Sequence, residues 1–449
     1  MSESAIAITG LGLVTPAGPD REATWQGLLA GRSFTRLLST PQFATTAIGA
    51  PAALPANSIP AVAAPPSPRH PRSAPKSSEP LPTGTGEPGP IGIGEPLPIG
   101  IGEPLLDLAW RAAWEAWLHA RLDTAPADPH RIACVLGTSK GGWQALQHLF
   151  REVHPASAPF LPQTTPGDWA GHFLPSAPGA WVAARLGLGG PLLCPVAACA
   201  TGLLSVHRAA DLIAAGRCDV ALAGSADASL VELVQASFRR LGVLAPPNGD
   251  PARAVRPFDR DRRGFVVGEG AAVLVLERVA HARARGVAPL ATWLAGGSGS
   301  EASHLMQLDP DPAQLARVIG DTLARAGVAP HEIDCIGYHG TATRGNDPLE
   351  SAALLQALGP HAGKIPGSSL KGALGHLLGA AGSVELAALV LALRDGVVPP
   401  TVNLTHADPA CPLDYTPGQA RPAPLQTALK LSLGFGGHLA CALLRRGAD

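Results

Sequence analysis

The chain has 449 residues, a formal net charge of -1 at pH 7 and 46% hydrophobic residues, but only 4% aromatic residues. A nearly neutral chain without a strongly basic block is not typical of a nucleic-acid binding protein. No apolar run approaches the roughly 18 residues of a membrane-spanning helix, and the opening residues lack the basic start and apolar core of a signal peptide. We therefore expect a cytoplasmic protein without a membrane span.

The cysteines are odd in number and show no Cys-x-x-Cys spacing, which argues against a disulfide framework and against a structural metal site. Several of them, such as Cys134 and Cys335, fall in predicted strands and are typical of small buried apolar residues. The full set is Cys134, Cys194, Cys199, Cys218, Cys335, Cys411 and Cys441.

The first predicted elements are a short strand over residues 4–9, which ends at Gly10-Leu-Gly12, and a helix over 21–30. Asp20 is the expected N-cap of that helix, and Gly31 is its expected end. The Gly10-x-Gly12 pair lacks the third glycine of a dinucleotide-binding loop, so we do not expect a bound dinucleotide.

Residues 40–105 differ from the rest of the chain because they are dense in Pro, Ala, Ser and Gly. The eight residues at 90–97 recur at 98–105. Such a segment buries too little apolar area to offset its ordering entropy, which predicts a disordered or loosely packed insertion. A Pro-rich arm that binds a partner is the alternative.

After this insertion, strands and helices alternate, which predicts an α/β protein with parallel or mixed sheets. In the first helix, over 106–121, the helical spacing of Trp110, Trp114 and Trp117 indicates core packing. The further predicted helices cover 200–215, 312–326, 347–358 and 378–394. The predicted strands lie at 131–137, 218–224, 271–276, 290–296, 333–338, 428–433 and 438–444.

The candidate nucleophile is Cys199, which follows an extended apolar run and precedes a predicted helix. A thiol at the positive end of a helix dipole is expected to have a lowered pKa. In isolation, a cysteine before a helix is more typical of a small buried residue, and Cys194 is read in that way.

Two histidines lie among small residues further along the chain. His339 ends a predicted strand before Gly340, and His376 precedes the apolar helix over 378–394. Taken alone, His339 is more typical of a strand-end histidine that is satisfied by the backbone. The turn Gly434-Phe435-Gly436-Gly437 suits a tight hairpin between the last two strands.

Together these motifs resemble the elongating β-ketoacyl-acyl-carrier-protein synthases, the synthase I/II-like condensing enzymes of fatty acid and polyketide synthesis. The resemblance covers nearly the whole chain outside 40–105. The motifs that carry it are Ile8 to Gly18, Cys199-Ala-Thr-Gly, Arg256 to Gly270, His339-Gly-Thr-Ala-Thr, Asn346-Asp347, Lys371-Gly-Ala-Leu-Gly-His376 and Gly434-Phe-Gly-Gly437.

The resemblance implies a thiolase-like α/β fold, with five layers in the order αβαβα and two similar halves, usually as a homodimer. The half over 1–278 would carry the nucleophile and the 40–105 insertion, and the half over 279–449 would carry both histidines. The sequence itself shows no repeat.

By resemblance, Cys199 accepts the acyl group, and His339 and His376 complete a Cys-His-His triad. This triad implies decarboxylative condensation of the acyl thioester on Cys199 with malonyl-acyl-carrier protein, in fatty acid elongation. No metal or redox cofactor is implied, because the substrates arrive on the phosphopantetheine arm of the carrier protein.

The resemblance also assigns supporting roles around this triad. Lys371 and Glu385 match a supporting charged pair. Phe435 matches a gating residue, whose backbone N–H would form an oxyanion hole with that of Cys199. The arginine that family members place near this site is not clearly matched, and Arg239 and Arg240 are nearby candidates for carrier docking.

Departures from the family pattern leave several questions open. His438-Leu439 replace the Thr-Asn that usually follows the glycine turn, which leaves the behaviour of the gate open. Because the 40–105 insertion and residues 151–180 diverge from the family, the acyl chain length and the starter do not carry over. The same chemistry could serve a specialised polyketide or polyene pathway. A non-condensing partner subunit typically lacks the cysteine, and a coenzyme A thiolase would place a second catalytic cysteine near the C-terminal turn.

Overall fold

The computed structural model describes residues 5–38, 47–54, 103–147, 170–247 and 249–447. Most of the predicted 40–105 insertion, and most of the divergent 151–180 segment, lie outside these residues. Parts of the insertion do belong to the fold, because 47–49 form a strand and Ala50 is fully buried, with its N–H donating to the carbonyl of Val267.

The described residues form 14 strands. They are β1 Ile6–Val14, β2 Arg36–Leu38, β3 Ala47–Gly49, β4 Ile132–Gly137, β5 Leu192–Leu193, β6 Val220–Asp227, β7 Gly270–Arg278, β8 Ala291–Ser300, β9 Cys335–Gly337, β10 Gly367–Ser368, β11 Val397–Val398, β12 Arg421–Pro422, β13 Thr427–Gly434 and β14 His438–Arg446.

The described α-helices follow the same order. They are α1 Arg21–Leu29, α2 Pro104–His119, α3 Ala170–Phe173, α4 Ala177–Leu186, α5 Thr201–Ala214, α6 Glu232–Arg240, α7 Val279–Ala284, α8 Ala313–Ala326, α9 Asn346–Leu358, α10 Lys371–Leu374 and α11 Ala381–Asp395. None of the helices in the described ranges is long and apolar enough to cross a membrane.

The main sheet consists of two sets of five strands with the same pairing pattern. The orders are β5-β4-β6-β7-β1 and β10-β9-β13-β14-β8. In each set, two parallel pairings are followed by two antiparallel pairings. The sets meet where Ile6–Ile8 of β1 pairs with Ala291–Trp293 of β8. The structure therefore reveals a duplication that the sequence does not show.

The helices form three layers around these two sets of strands. One core lies between the first set and α2 with α4, a second around α5 and α11, and a third between the second set and α8 with α9. Since α11 contacts both β7 and β13, it belongs to the layer between the sets. The expected thiolase-like αβαβα architecture is confirmed, whereas the domain boundary at 278 stays a prediction.

The start of the chain confirms one local prediction and corrects another. The Asp20 side chain caps α1 by accepting a hydrogen bond from the N–H of Ala23 at 2.8 Å. The first strand does not end at Gly10, because β1 continues through Gly10 and Gly12 to Val14. Helix α2 packs directly on these glycines, so a Cβ on Gly12 would overlap the carbonyl oxygen of Ala112.

The three tryptophans of α2 pack against the core, as predicted. Trp110 is only 2% exposed and stacks on Trp114 at 5.7 Å between ring centroids. Trp114 and Trp117 are half-buried against the same cluster.

The close contact between β1 and α2 predicts that Gly12→Ala lowers the free energy of unfolding by about 2 kcal/mol or more, because overpacking strains a rigid core. Gly320→Ala is the matched control, since a Cβ at this position in α8 would meet no atom within 4 Å. It should raise stability by up to about 1 kcal/mol, through helix propensity alone. Urea unfolding measures both values, and equal effects would contradict the packing argument.

Candidate active site

Cys199 lies in a single 3₁₀ turn, Ala198–Ala200, directly before α5. The turn is strained, because Ala198 has φ 46°, a conformation that L-residues rarely adopt. The Thr201 hydroxyl accepts from the N–H of Ala197 and donates to the carbonyl of Ala198, each at 2.8 Å. These bonds fix the thiol at the N-terminus of the helix, as the sequence predicts.

The predicted lowering of the Cys199 pKa is wrong. Burial raises the pKa of the Cys199 thiol to about 12, although the ammonium groups of Lys371 and Lys140 lower it. Desolvation of the thiolate therefore outweighs the nearby positive charges in this site.

His339 follows β9 immediately, and its backbone is held on both sides by buried charges. Its N–H and that of Gly340 donate to the Glu350 carboxylate at 2.5 and 2.8 Å. Its carbonyl accepts from the ammonium of Lys371 at 2.5 Å, and the same ammonium lies 3.5 Å from the ring Nδ1. Since an ammonium only donates, Nδ1 is the acceptor and Nε2 carries the hydrogen.

His376 is held in an equivalent tautomer by the backbone. The N–H of Leu378 donates to the His376 Nδ1 at 3.2 Å, so Nε2 carries the hydrogen here as well. The edge of the Phe265 ring packs on the imidazole, with 4.9 Å between centroids. The two imidazoles lie 5.6 Å apart at 81° to each other.

Both histidines are neutral in this site. Burial lowers the pKa of His339 and of His376 well below the usual range, and the ammonium of Lys371 lowers both further. Two neutral imidazoles therefore each retain one Nε2–H donor, while their Nδ1 atoms accept from the protein.

The predicted pair of Lys371 and Glu385 is present, with 2.5 Å between the ammonium and Oε1. Lys430 was not predicted as a site residue, and its ammonium lies 2.8 Å from Oε2 of the same carboxylate. Glu350 was not predicted either, and burial raises the pKa of its carboxyl group to about 7. Lys430 and Ser432 alternate with leucines in the predicted strand over 428–433, which is typical of a strand with one exposed face, so this pattern does not mark Lys430 as a site residue.

The glycine turn lies against the nucleophile. A Cβ on Gly434 would sit 2.7 Å from the carbonyl oxygen of Ala197 and 3.2 Å from the backbone nitrogen of Cys199, so only glycine fits. Phe435 follows, with its ring 6.4 Å from that of Phe238. The oxyanion-hole role of the Phe435 N–H stays a prediction.

One cavity of about 680 Å³ connects these groups. Cys199, His339, His376 and Phe435 all line it, whereas Lys371 and Glu385 lie behind His339 and do not. The rest of its wall combines apolar side chains with polar groups such as Thr341 and Thr343. The structure therefore brings the predicted nucleophile and both histidines together from distant parts of the chain.

Arg239 and Arg240, the candidates for carrier docking, are exposed at the end of α6 and do not line this cavity. Phe238 of the same helix contacts Phe435, which places both arginines near the gate residue. Their docking role stays a prediction.

The chain matches the family model described as β-ketoacyl synthase, N-terminal domain, over residues 3–63 and 103–282, and the C-terminal domain over 290–405. A putative polyketide β-ketoacyl synthase 1 of Streptomyces cyaneus is 36% identical over 98% of this chain and 97% of its own length. The 3-oxoacyl-[acyl-carrier-protein] synthase 2 of Coxiella burnetii is 31% identical over 100% of both.

Solved structures show the same similarity. A type II polyketide synthase acyl-carrier protein in complex with its ketosynthase has a TM-score of 0.84, 27% identity and 99% coverage of both chains. The ishigamide ketosynthase/chain length factor has a TM-score of 0.81 and 30% identity, over 98% of this chain and 99% of that chain. The chain belongs to the β-ketoacyl synthase family, whose members are condensing enzymes of the acyltransferase class.

The neutral histidines predict a pH dependence of stability. Below about pH 6.5 the unfolded chain binds protons at His339 and His376 that the folded chain excludes, so these two residues favour unfolding as the pH falls. Relative to a His339→Asn/His376→Asn variant, the wild type should lose up to about 1.4 kcal/mol per histidine for each pH unit below 6.5. Urea unfolding at pH 7 and pH 5.5 measures the difference, and a pH-independent difference would contradict neutral burial.

Proposed function

We propose that the chain extends an acyl chain on Cys199 by decarboxylative condensation with a malonyl thioester on acyl carrier protein. The observation that carries this proposal is the shared cavity. It places one thiol at a helix N-terminus together with two neutral imidazoles, whose Nδ1 atoms are occupied and whose Nε2–H groups remain to donate.

In the first half-reaction, the sulfur of Cys199 attacks the carbonyl carbon of the acyl thioester. In this proposal the backbone N–H groups of Cys199 and Phe435 stabilise the oxyanion, and losing one such donor typically costs about 10² to 10³ in rate. The carrier's sulfur leaves and takes up the proton lost by the Cys199 thiol. The helix N-terminus and the charge of Lys371 offset part of the desolvation cost of the thiolate.

In the second half-reaction, the carbonyl oxygen of the malonyl thioester accepts hydrogen bonds from Nε2–H of His339 and of His376. These donors stabilise the enolate that forms when the carbon–carbon bond to the carboxylate breaks and carbon dioxide leaves. The enolate carbon attacks the acyl thioester on Cys199, and the sulfur leaves as thiolate. The β-ketoacyl product stays on the carrier.

Two pathways use this condensation, polyketide synthesis and fatty acid elongation. The relatives from Streptomyces cyaneus and Streptomyces glaucescens, at 36% and 35% identity, are named as polyketide synthase components. These relatives favour the polyketide alternative. Fatty acid elongation, the function first expected, is the second candidate, and the similarity to a 3-oxoacyl-[acyl-carrier-protein] synthase 2 supports it. The presence of Cys199 argues against a non-condensing partner subunit.

We also propose that the protein forms a dimer. Strand β5 ends the ten-stranded sheet and pairs only with β4 among the described strands, and it exposes Leu192 by 44% and Leu193 by 40%. An apolar edge strand exposes backbone groups that a second strand can pair. We place a second copy of this chain at this edge.

The dimer proposal predicts that Leu192→Lys/Leu193→Lys converts a species of twice the 45.7 kDa chain mass to a single chain. Like charges facing each other across the edge oppose pairing. Leu118→Lys is the matched control, since Leu118 is 42% exposed on α2. Light scattering after size exclusion measures the mass. A monomeric wild type, or an unchanged mass of the double variant, would contradict the edge-strand interface.

The condensation proposal predicts that Cys199→Ala abolishes chain extension without unfolding the protein. His339→Ala should retain acylation of Cys199 but lower decarboxylation of malonyl-carrier by about 100-fold or more, because one enolate donor is lost. Incubation with acyl-carrier proteins of graded chain length and malonyl-carrier, followed by mass spectrometry, measures both steps and identifies the preferred acyl chain. Normal extension by the Cys199→Ala variant would refute the proposal.

A further inference from the structure

Lys430 is a fully buried lysine whose ammonium is surrounded by oxygen atoms. It lies in the middle of β13, with 0% of its surface exposed. Its Nζ donates to the carbonyls of Gly337 and Tyr338, each at 3.2 Å, and to the carbonyl of Leu431. The Oε2 atom of Glu385 is a fourth oxygen, at 2.8 Å.

The four oxygens exceed the hydrogen-bonding capacity of the ammonium, which has three N–H donors. The three carbonyls receive those hydrogens, and the Glu385 Oε2 receives no hydrogen bond of normal geometry. The contact between Lys430 and Glu385 is therefore an attraction between charges. In a buried site this attraction is strong, and losing one partner leaves an uncompensated charge.

The neighbouring strand is shaped to admit this side chain. A Cβ on Gly337 would lie 2.9 Å from Cδ of Lys430, so the glycine at the end of β9 makes room for the lysine stem. In the parallel pairing, Lys430 of β13 lies opposite Gly337 of β9. The ammonium thus reaches the two carbonyls that directly precede His339.

Lys430 is connected to His339 by two independent routes. Along the backbone, Lys430 holds the carbonyls of Gly337 and Tyr338, while Lys371 holds the next carbonyl, that of His339. Through side chains, Lys430 and Lys371 bind opposite oxygens of Glu385. Lys371 in turn sets the tautomer of His339.

We propose that Lys430 is a positioning residue for the decarboxylation step. Its charge holds Glu385 and the backbone before His339, so that the His339 Nε2–H points at the enolate oxygen. This inference rests on the function proposed above for His339. Lys430 touches no reacting atom, and it is absent from the cavity wall.

The first test is Lys430→Met, which keeps the volume and removes the charge. We expect acylation of Cys199 to persist, while kcat for decarboxylation of malonyl-carrier falls by about 10- to 100-fold, because small misplacements of a catalytic group have effects of this size. Lys364→Met is the matched control, since Lys364 is exposed and outside the site. Equal losses of acylation and decarboxylation, or no loss of either, would overturn the proposal.

The pH profile of the decarboxylation rate distinguishes an electrostatic role of Lys430 from a purely structural one. His339 is faced by Lys371, His376 and Lys430, and its backbone N–H by Glu350. The charge of Lys430 lowers the pKa of His339. The acidic limb of the decarboxylation rate should therefore move to higher pH in Lys430→Met, and an unmoved limb would contradict the charge effect.

Two further variants keep the proposal testable if Lys430→Met does not fold. Lys430→Ala should regain decarboxylation with propylammonium but not with 1-propanol, because only the former returns the charge. Gly337→Ala displaces the lysine stem and should lower decarboxylation selectively. Rescue by both compounds alike, or full activity of Gly337→Ala, would refute the positioning role.

The same assays separate this inference from the proposed function. If the wild type neither acylates Cys199 nor extends the chain, the proposed function fails. If the wild type extends normally and His339→Ala loses decarboxylation while Lys430→Met does not, only the role of Lys430 fails.

Discussion

The site depends on one constraint, which is that the backbone at the end of β9 is held by buried charges on both sides. Three successive carbonyls, at 337, 338 and 339, accept from Lys430 or Lys371, and two successive N–H groups donate to Glu350. Glu385 balances both lysines. Removing one member would leave a buried charge unpaired, at a cost of about 3–5 kcal/mol. This cost keeps His339 in one position and one tautomer.

The duplicated fold explains how distant residues meet in one cavity. In each half, a 3₁₀ turn precedes the helix of the central layer, Ala198–Ala200 before α5 and Leu378–Ala380 before α11. Both turns begin at a residue with positive φ, 46° at Ala198 and 49° at Leu378. The first turn carries the thiol, and His376 lies two residues before the start of the second. The two helices pack closely, since a Cβ on Gly202 would overlap the backbone nitrogen of Ser383.

Much of the fold and the main site residues were predictable, because periodicity marks the helices and strands, and motif order marks the thiol and the histidines. Three features were not. The extent of β1 depends on a helix that packs on Gly12, which is a tertiary contact. The raised pKa of Cys199 comes from desolvation, which local sequence does not reveal. Lys430 reads as an exposed strand residue until the partners of its ammonium are known.

The central claim is that Cys199 carries the growing chain in a site whose histidines act on the malonyl unit. The most direct measurement is intact-protein and peptide mass spectrometry after incubation with acyl-carrier protein alone. The account predicts one acyl group per chain, located on Cys199, which malonyl-carrier then removes as a carrier-bound product two carbons longer. An acyl group on another cysteine, or one that malonyl-carrier does not discharge, would contradict it.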